Sequence, residues 1–455
     1  GNFPALSFRW NVVDEPWMRG TQKWLSMLSL RPGWGRVGSQ PTDEYLFFSK
    51  YTGTDSYNGA NSIYPSNIRL SNLQWEEKET WNVGFDLGLF NNMITADFNI
   101  YTQMTSKLLM RDVKLPSSSG FSSLSWTNVG KMRNNGWEFN VNGTDVVKVG
   151  KFRLGFNVTF ANNKNEIVEM DPTALSSLNK DFDNKNGSYL TRIQLNNPFG
   201  AIYGFRYKGV YQYSDYSDVE VPGVSGPNAP VARDENGNVI RDKAGFTIPM
   251  VFGYDKTTNT ELYEFQGGDA IYEDINHDGN INELDIVYLG SSLPKITGGW
   301  GLKFSYGRWS LNAQFNFRVG NKVINEARMN AESMYNNNNQ AASVNWRWRT
   351  EGQLAEIPRA LYNKGFNYLG SDRFVEDASF MRLNYLSLGY SLNPKLLRRI
   401  GVTSLSINLN ASNLFCLTNY SGADPEVSYG GMNVATDGAK TPRSRQFTAR
   451  VQIGF

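Results

Sequence analysis

Two residue types on which much chemistry depends are nearly missing: the 455-residue chain has one histidine and one cysteine. A lone His277 cannot assemble a zinc site or relay a proton to a second imidazole, and its place inside an acidic stretch reads as an exposed turn. Cys416 has no partner for an internal disulfide and no neighbour that marks it as a nucleophile; it reads as a packed or lipid-facing thiol. Net charge is almost absent, at +2, which removes the electrostatic case for nucleic acid as a partner. No run of about 18 apolar residues occurs, so no transmembrane helix is available. The amino terminus, GNFPALSFRW, has neither a basic nor an apolar segment and does not begin with Met, so no signal peptide is visible and the expectation is a fragment or a processed product. Charged residues make up only 19 % while aromatics reach 14 %, an unusual pairing for a cytosolic enzyme.

What is present is a period of two. Phe447, Ala449, Val451, Ile453 and Phe455 alternate with Thr448, Arg450, Gln452 and Gly454. Trp81 to Leu89, Phe152 to Phe160, Trp309 to Phe317 and Leu405 to Ala411 repeat the pattern. Such alternation marks strands with one apolar face. A soluble β-sandwich also alternates, but its outer face carries Lys and Glu to protect edges. Here the polar partners are mostly Asn, Ser, Thr, Gly and Gln. That suits the wet or plugged lumen of a barrel whose apolar face meets lipid. Phe85, Phe156, Phe315 and Val451 are expected to face lipid, and Asp86, Asn157, Gln314 and Arg450 the lumen. Trp81, Trp137, Trp300, Tyr306, Trp309 and Phe455 fall near strand ends, where an interfacial girdle belongs.

Strands are expected near 3–13, 25–38, 75–89, 93–108, 135–147, 151–163, 296–306, 309–320, 378–392, 402–416 and 443–455. Short links (90–92, 148–150, 307–308, 393–401) alternate with long ones (39–74, 109–134, 164–295, 321–377, 417–442). Short turns on one side and long loops on the other are the mark of an outer-membrane barrel. The stretch 201–212 is placed in the long loop, because one extra crossing would break that parity. The fold class is therefore all-β, a transmembrane antiparallel β-barrel. About eleven strands are an odd count and half of the 22 found in plugged outer-membrane transporters. An open half would leave unpaired edges in lipid, so the rest of the barrel is expected from sequence outside this chain.

Several segments together carry a family resemblance: FPALSFRWNVVDEPWM (3–18) with LSLRPGWGRVG (28–38), LQWEEKETWNVGFDLGLFNNMITADFNIY (73–101), NVGKMRNNGWEFNV (128–141), GDAIYEDINHDGNINELDIVYLGSSLPKITGG (268–299), RFVEDASFMRLNYLSLGYSL (373–392), NLFCLTNYSGADPEV (413–427) and the closing Phe455. In this order they resemble the C-terminal half of a SusC/RagA-type TonB-dependent outer-membrane transporter. The loop between about 164 and 268 matches less well. The resemblance implies that 1–455 is the C-terminal part of a 22-stranded barrel, with the N-terminal plug and TonB box outside this chain. It implies a SusD-like surface lipoprotein as a lid, and uptake of oligosaccharides or peptides energised through the TonB complex. The long outer loops 164–295 and 321–377 would form much of the lid contact. The alternative is a non-transporting outer-membrane adhesin or glycan-binding barrel, which a plug and TonB box upstream would exclude.

Within the longest loop, DINHDGNINELD places Asp274, Asn276, Asp278, Gly279 and Asp285 at positions 1, 3, 5, 6 and 12 of a calcium-loop pattern. Asp274, Asn276, Asp278, the Asn280 carbonyl and Asp285 are the candidate ligands of a structural Ca²⁺. The flanks GDAIY and IVYLG read as extended chain, so no helix pair is there to open and the ion would pin the loop, where no hydrophobic core is assured, rather than switch it. Asp in place of Glu at position 12 fits a weak site. Other readings are open. YNNNNQ (335–340) is a flexible surface or a sugar-contacting loop. Trp346, Arg347, Trp348 and Arg349 stack on sugars and pair with acids, or pack against the barrel rim. Glu76–Glu77 and Asp372–Glu376 are adjacent carboxylates without a buried context, so no glycosidase is expected. Lys395, Arg398 and Arg399 form a basic cluster at a short-side turn, against lipid phosphates or simply in water.

Overall fold

The computed structural model describes residues 2–57, 60–179, 182–183, 185–213, 230–253, 263–397, 401–426 and 434–455. Thirteen strands form one sheet: β1 (Ala5–Ser7), β2 (Trp10–Asn11), β3 (Leu25–Ser39), β4 (Glu76–Leu89), β5 (Ile94–Ser106), β6 (Gly130–Val149), β7 (Phe152–Met170), β8 (Ile296–Tyr306), β9 (Trp309–Val319), β10 (Phe380–Ser391), β11 (Ser404–Ser412), β12 (Cys416–Thr418) and β13 (Gln446–Gly454). β1 and β2 both pair with β3, and β11 and β12 both pair with β10. Thirteen strands therefore make eleven antiparallel traverses, each beside its neighbour in sequence. The order is linear, and among the described residues no ladder joins β13 to β1 or β2.

The register sorts side chains as the period of two requires. One row across the sheet reads Leu28, Leu87, Ala96, Val141, Val158, Trp300, Phe315, Leu383. The row on the opposite face, one residue along, reads Ser29, Asp86, Asp97, Asn140, Thr159, Gly299, Asn316, Arg382. Phe85, Phe156, Phe315 and Val451 share the apolar face, and Phe85 and Val451 are 45 % and 59 % exposed on it. Asp86, Asn157, Gln314 and Arg450 share the polar face, where Asp86 binds Arg31 at 2.7 Å and Ser29 at 2.9 Å. Asn384 is an extra residue in β10, opposite Gln314 and Phe315. Without that bulge, Leu383 and Leu386 would lie on opposite faces. Asn413, at φ +55°, interrupts the neighbouring traverse at the same height and donates its N–H to the Asn384 carbonyl.

The short links are tight. Gly307 (φ +62°) opens the two-residue turn between Tyr306 and Trp309, as a glycine-first hairpin needs. Aromatics gather at both ends of the sheet. Trp309 packs on Tyr390 at 4.6 Å on the short-turn side; on the long-loop side the indoles of Trp34 and Trp81 donate to Glu79 Oε1 at 2.8 and 3.2 Å. Trp300 is not part of a girdle. It lies in mid-sheet, stacked on Phe315 at 4.0 Å, because the row it occupies is the apolar belt itself.

One boundary moves. β7 does not end at 163 but runs to Met170, paired with β6. Its extension, KNEIVEM, has lost apolar alternation because it stands above the belt, and ion pairs such as Lys131–Glu169 at 2.6 Å replace it. The first long excursion thus starts at 171. Residues 201–212 are in that excursion: Ala201–Gly204 pairs with Val287–Ser291 and Tyr207–Val210 with Ala270–Tyr272, off the main sheet. The excursion also has the core that the sequence did not assure. Phe205, Phe252, Phe265, Tyr272, Ile281 and Leu369 are buried together there, Leu369 coming from the second excursion.

Candidate functional site

The acidic loop sits on this core. Ile281 is fully buried, and a Cβ at Gly279 (φ +79°) would lie 2.7 Å from Ala232 Cβ, so both conformation and space demand glycine. The flanks are extended, as expected, and a single 3₁₀ turn at Glu283–Asp285 closes the loop. Asp274 Oδ2 accepts the Gly279 N–H at 2.8 Å, and Asp278 Oδ1 accepts that of Asn280 at 2.8 Å. Asn276 donates its amide to Asp278 Oδ2 at 3.0 Å. The fully buried Asp285 takes the N–H groups of Ile275 and Asn282 at 2.8 and 2.9 Å. Burial pushes the Asp285 carboxyl up to about 6, and the charges of Asp274 and Asp278 add to it; burial raises Asp274 as well. The five candidate ligands are thus gathered in one loop. Its carboxylates are turned to the loop's own N–H groups, and among the described residues no three acidic, thiol or imidazole side chains form a ready ion cage. Asn280 Oδ1 is buried without a donor. His277 adopts a left-handed turn (φ +56°) with Nδ1 3.1 Å from the Arg233 carbonyl.

Beside the loop lies a buried charge network. Asp269 is fully buried. It receives Arg359 Nε at 2.6 Å, Tyr263 Oη at 2.7 Å, the Gln266 N–H at 2.9 Å and the Asn367 amide at 3.2 Å. Burial and the Asp269 charge drive the Tyr263 phenol far above its usual range. Arg359 and Asn367 belong to the second excursion, so this network clamps it to the first. Glu332, also buried, holds Arg373 at 2.7 Å and Arg328 at 3.2 Å. Where the polar face meets the loops, Arg382 binds Asp424 at 2.6 Å and Glu426 at 2.7 Å. Arg359–Asp269, Arg373–Glu332 and Arg382–Asp424 are 90, 41 and 42 residues apart and leave no local spacing to read; Arg328–Glu332, an i,i+4 pair, is the exception.

The remaining candidates separate. Trp346 is 78 % exposed, whereas Trp348 is buried, edge-on to Tyr213, with its indole N–H on Gln212 at 3.0 Å. Arg347 and Arg349 donate to the Val344 and Asn345 carbonyls. Of the two indoles of that tract, Trp346 alone is exposed. Residues 336–340 are exposed. Glu76 accepts the Leu109 N–H while Glu77 pairs with Lys107. Asp372 accepts the Tyr207 N–H while Glu376 holds Arg328, Asn325 and Ser421. In neither case do the two carboxylates share a site. Lys395 is exposed in the short helix Pro394–Leu397; Arg398 and Arg399 lie outside the described residues.

Comparison with known proteins agrees with this architecture. Residues 1–229 match the family model "TonB dependent receptor-like, beta-barrel". TonB-dependent receptor P39 of Formosa agariphila is 27 % identical over 470 residues, covering 100 % of this chain and 43 % of its own length. TonB-dependent receptor SusC of Bacteroides thetaiotaomicron is 25 % identical over 472 residues, covering 100 % of this chain and 40 % of its own. The RagAB peptide transporter superposes with a TM-score of 0.72 at 23 % identity over 100 % of this chain and 43 % of that one, a likeness of fold. This chain spans less than half the length of these relatives, which are receptors and transporters rather than enzymes. An open sheet with one lipid-compatible face, short turns on one side and folded long loops on the other is the wall of an outer-membrane barrel, and the chain belongs to the TonB-dependent receptor-like β-barrel family, with SusC among its relatives.

Proposed function

We propose that this chain is the C-terminal part of the barrel of an active importer of oligosaccharides or peptides in the Gram-negative outer membrane. The rest of the barrel and a plug complete it, the TonB complex energises it, and a SusD-like lipoprotein covers it from outside. The observation that carries this reading is the unclosed sheet with opposite apolar and polar faces, capped on its long-loop end by a folded body. A structural neighbour described as a peptide importer supports peptides as cargo, and the SusC relative supports a lid of the SusD type. The folded excursions 171–295 and 321–377, with Trp346 exposed among them, offer the surface for that lid. Affinity purification of the full-length protein under gentle solubilisation should recover a surface lipoprotein. Deleting the TonB box should abolish uptake while leaving the barrel in the membrane. A protein recovered alone, with cargo accumulation independent of TonB, favours an adhesin.

We further propose that Asp274, Asn276, Asp278, the Asn280 carbonyl and Asp285 hold a structural Ca²⁺. The gathering of Asp274, Asp278 and Asp285 in one loop, where their like charges face one another, supports it. Extracellular calcium is plentiful, so a site with a Kd on the order of 10⁻⁴–10⁻³ M suffices.

A further inference from the structure

We propose that the long-loop end of this chain holds a site for the free amino terminus of a peptide whose first side chain is apolar. The inference deepens the importer reading above and rests on it, since it names peptides as the cargo. The site is a pocket of about 210 Å³ where the excursions 171–295, 321–377 and 417–442 meet. That is smaller than the roughly 300–1,000 Å³ of pockets that enclose a whole drug-sized ligand, so one side chain fills it and the remainder of the ligand stays outside. Exposure orders its walls from depth to mouth. Leu190, Ile202, Tyr203, Ile324 and Met329 are each no more than 4 % exposed and form the depth. Glu326 is half-buried and Thr191 exposed, so these two stand at the mouth. The walls are tied together in pairs, Leu190 bridging to Tyr203 and Ile324 to Thr436.

The depth offers little to a sugar. The Tyr189 hydroxyl donates to the Ser371 carbonyl at 2.9 Å, and the Tyr203 hydroxyl receives the Asn197 amide at 2.9 Å. Both phenols on the pocket wall are thus engaged elsewhere, and an apolar side chain needs no such partners. The mouth offers a charge. Arg328 lies two residues along the same short helix, Glu326–Glu332, but it pairs with Glu332 and Glu376, and Arg373 pairs with Glu332. Among the described residues no cation is left to pair with Glu326. A Cβ at Gly438 would stand 3.5 Å from Glu326 Oε2, so glycine there keeps that oxygen open. The ammonium and the first side chain of a peptide hang from one carbon. With the side chain in the apolar depth, the ammonium falls at the mouth, against the carboxylate, as a charge-assisted hydrogen bond. A lysine side chain in the same pocket would instead carry its ammonium past Glu326 into apolar surroundings, which is costly.

The test uses the full-length protein in mild detergent and native mass spectrometry. The probes are an octapeptide of alternating Ala and Ser after an initial Leu, its N-acetyl form, and the same peptide with an initial Gly. The wild-type protein should retain the free Leu peptide about fivefold better than the acetylated one, the scale of a half-exposed ion pair, and about tenfold better than the Gly peptide, which buries no side chain. Glu326→Gln should make the free and acetylated peptides equal while keeping the preference for Leu. Thr191→Trp, which blocks the mouth, should lower retention of the Leu peptide tenfold, with Val434→Trp as a second filling variant and heat-modifiable mobility on gels to identify variants that are folded. Equal retention of free and acetylated peptide by the wild type, a preference that survives Glu326→Gln, or unchanged retention by a folded filling variant overturns the proposal; TonB-dependent uptake of the octapeptide in those cases leaves the importer reading standing. Uptake of an oligosaccharide with no peptide retained overturns both the site and peptides as cargo.

Discussion

At the scale of single residues, Asp269 has the most at stake. Its carboxylate is fully buried, and two of its partners, Arg359 and Asn367, come from a different excursion of the chain. Removing one member of a buried pair costs roughly 3–5 kcal/mol, because the other is left uncompensated. Asp269→Ala should therefore loosen the loop body while the barrel strands persist, seen as rapid proteolysis within 263–291 and 350–370 with heat-modifiable mobility unchanged. Asp278→Ala asks a different question of the neighbouring loop. It should abolish the protection that millimolar calcium gives the 274–285 region against protease, and a wild-type protein equally protected in calcium and in chelator would show the loop to be a polar turn alone. The acidic loop was legible because its side chains lie within twelve consecutive residues. The Asp269–Arg359 pair was not, because nothing in either local sequence points to the other. The split between Trp346 and Trp348 was also hidden, since both indoles look alike until Gln212 and Tyr213 arrive.

At the scale of elements, the strands were legible and the ends of some were not. Alternation reports burial against lipid on one face, so it marks the part of a strand inside the apolar belt. β7 continues for seven residues past the point expected because backbone pairing and ion pairs need no apolar period. The excursion core was invisible for the same reason: Phe205, Phe252, Phe265, Tyr272 and Ile281 follow no repeat. Register yields a direct expectation. Gln314 and Phe315 are adjacent in β9 but face opposite sides. A basic residue at the lipid midplane costs roughly 2–4 kcal/mol, so Phe315→Arg should reduce the yield of folded protein in the outer membrane far more than Gln314→Arg. Comparable yields would mean that the faces are exchanged or that neither meets lipid. A pH dependence belongs at this scale as well. Burial pushes the Glu376 carboxyl up, but the N–H and hydroxyl of Ser421, with Arg328 and Asn325, outweigh it and hold the group below its ordinary 4.5. That contribution is present above pH 4.5 and is lost as pH falls through the lower folded value. The tie between 375–377 and 421 should thus open on acidification, with the Ser421 amide losing hydrogen-exchange protection in the wild type but showing no such acid step in Glu376→Gln.

At the scale of the whole molecule, the two ends of the sheet matter most. β1 with β2, and β13, each pair on one side. In a complete barrel both free sides must be paired, since lipid offers no hydrogen bonds. In the full-length protein, amides of 446–454 should exchange as slowly as those of β8 and β9; fast exchange there would mean that the barrel closes elsewhere.

The clamp between excursions also bears on how such a wall is assembled. The first excursion contains nearly all the apolar residues of its core, yet folding alone would bury Asp269 without a counter-charge, since Arg359 is emitted 90 residues later. Loop-closure entropy opposes the same early step. The late arrival of one guanidinium thus leaves Asp269 without a counter-charge until the second excursion is in place, which disfavours early compaction of the first.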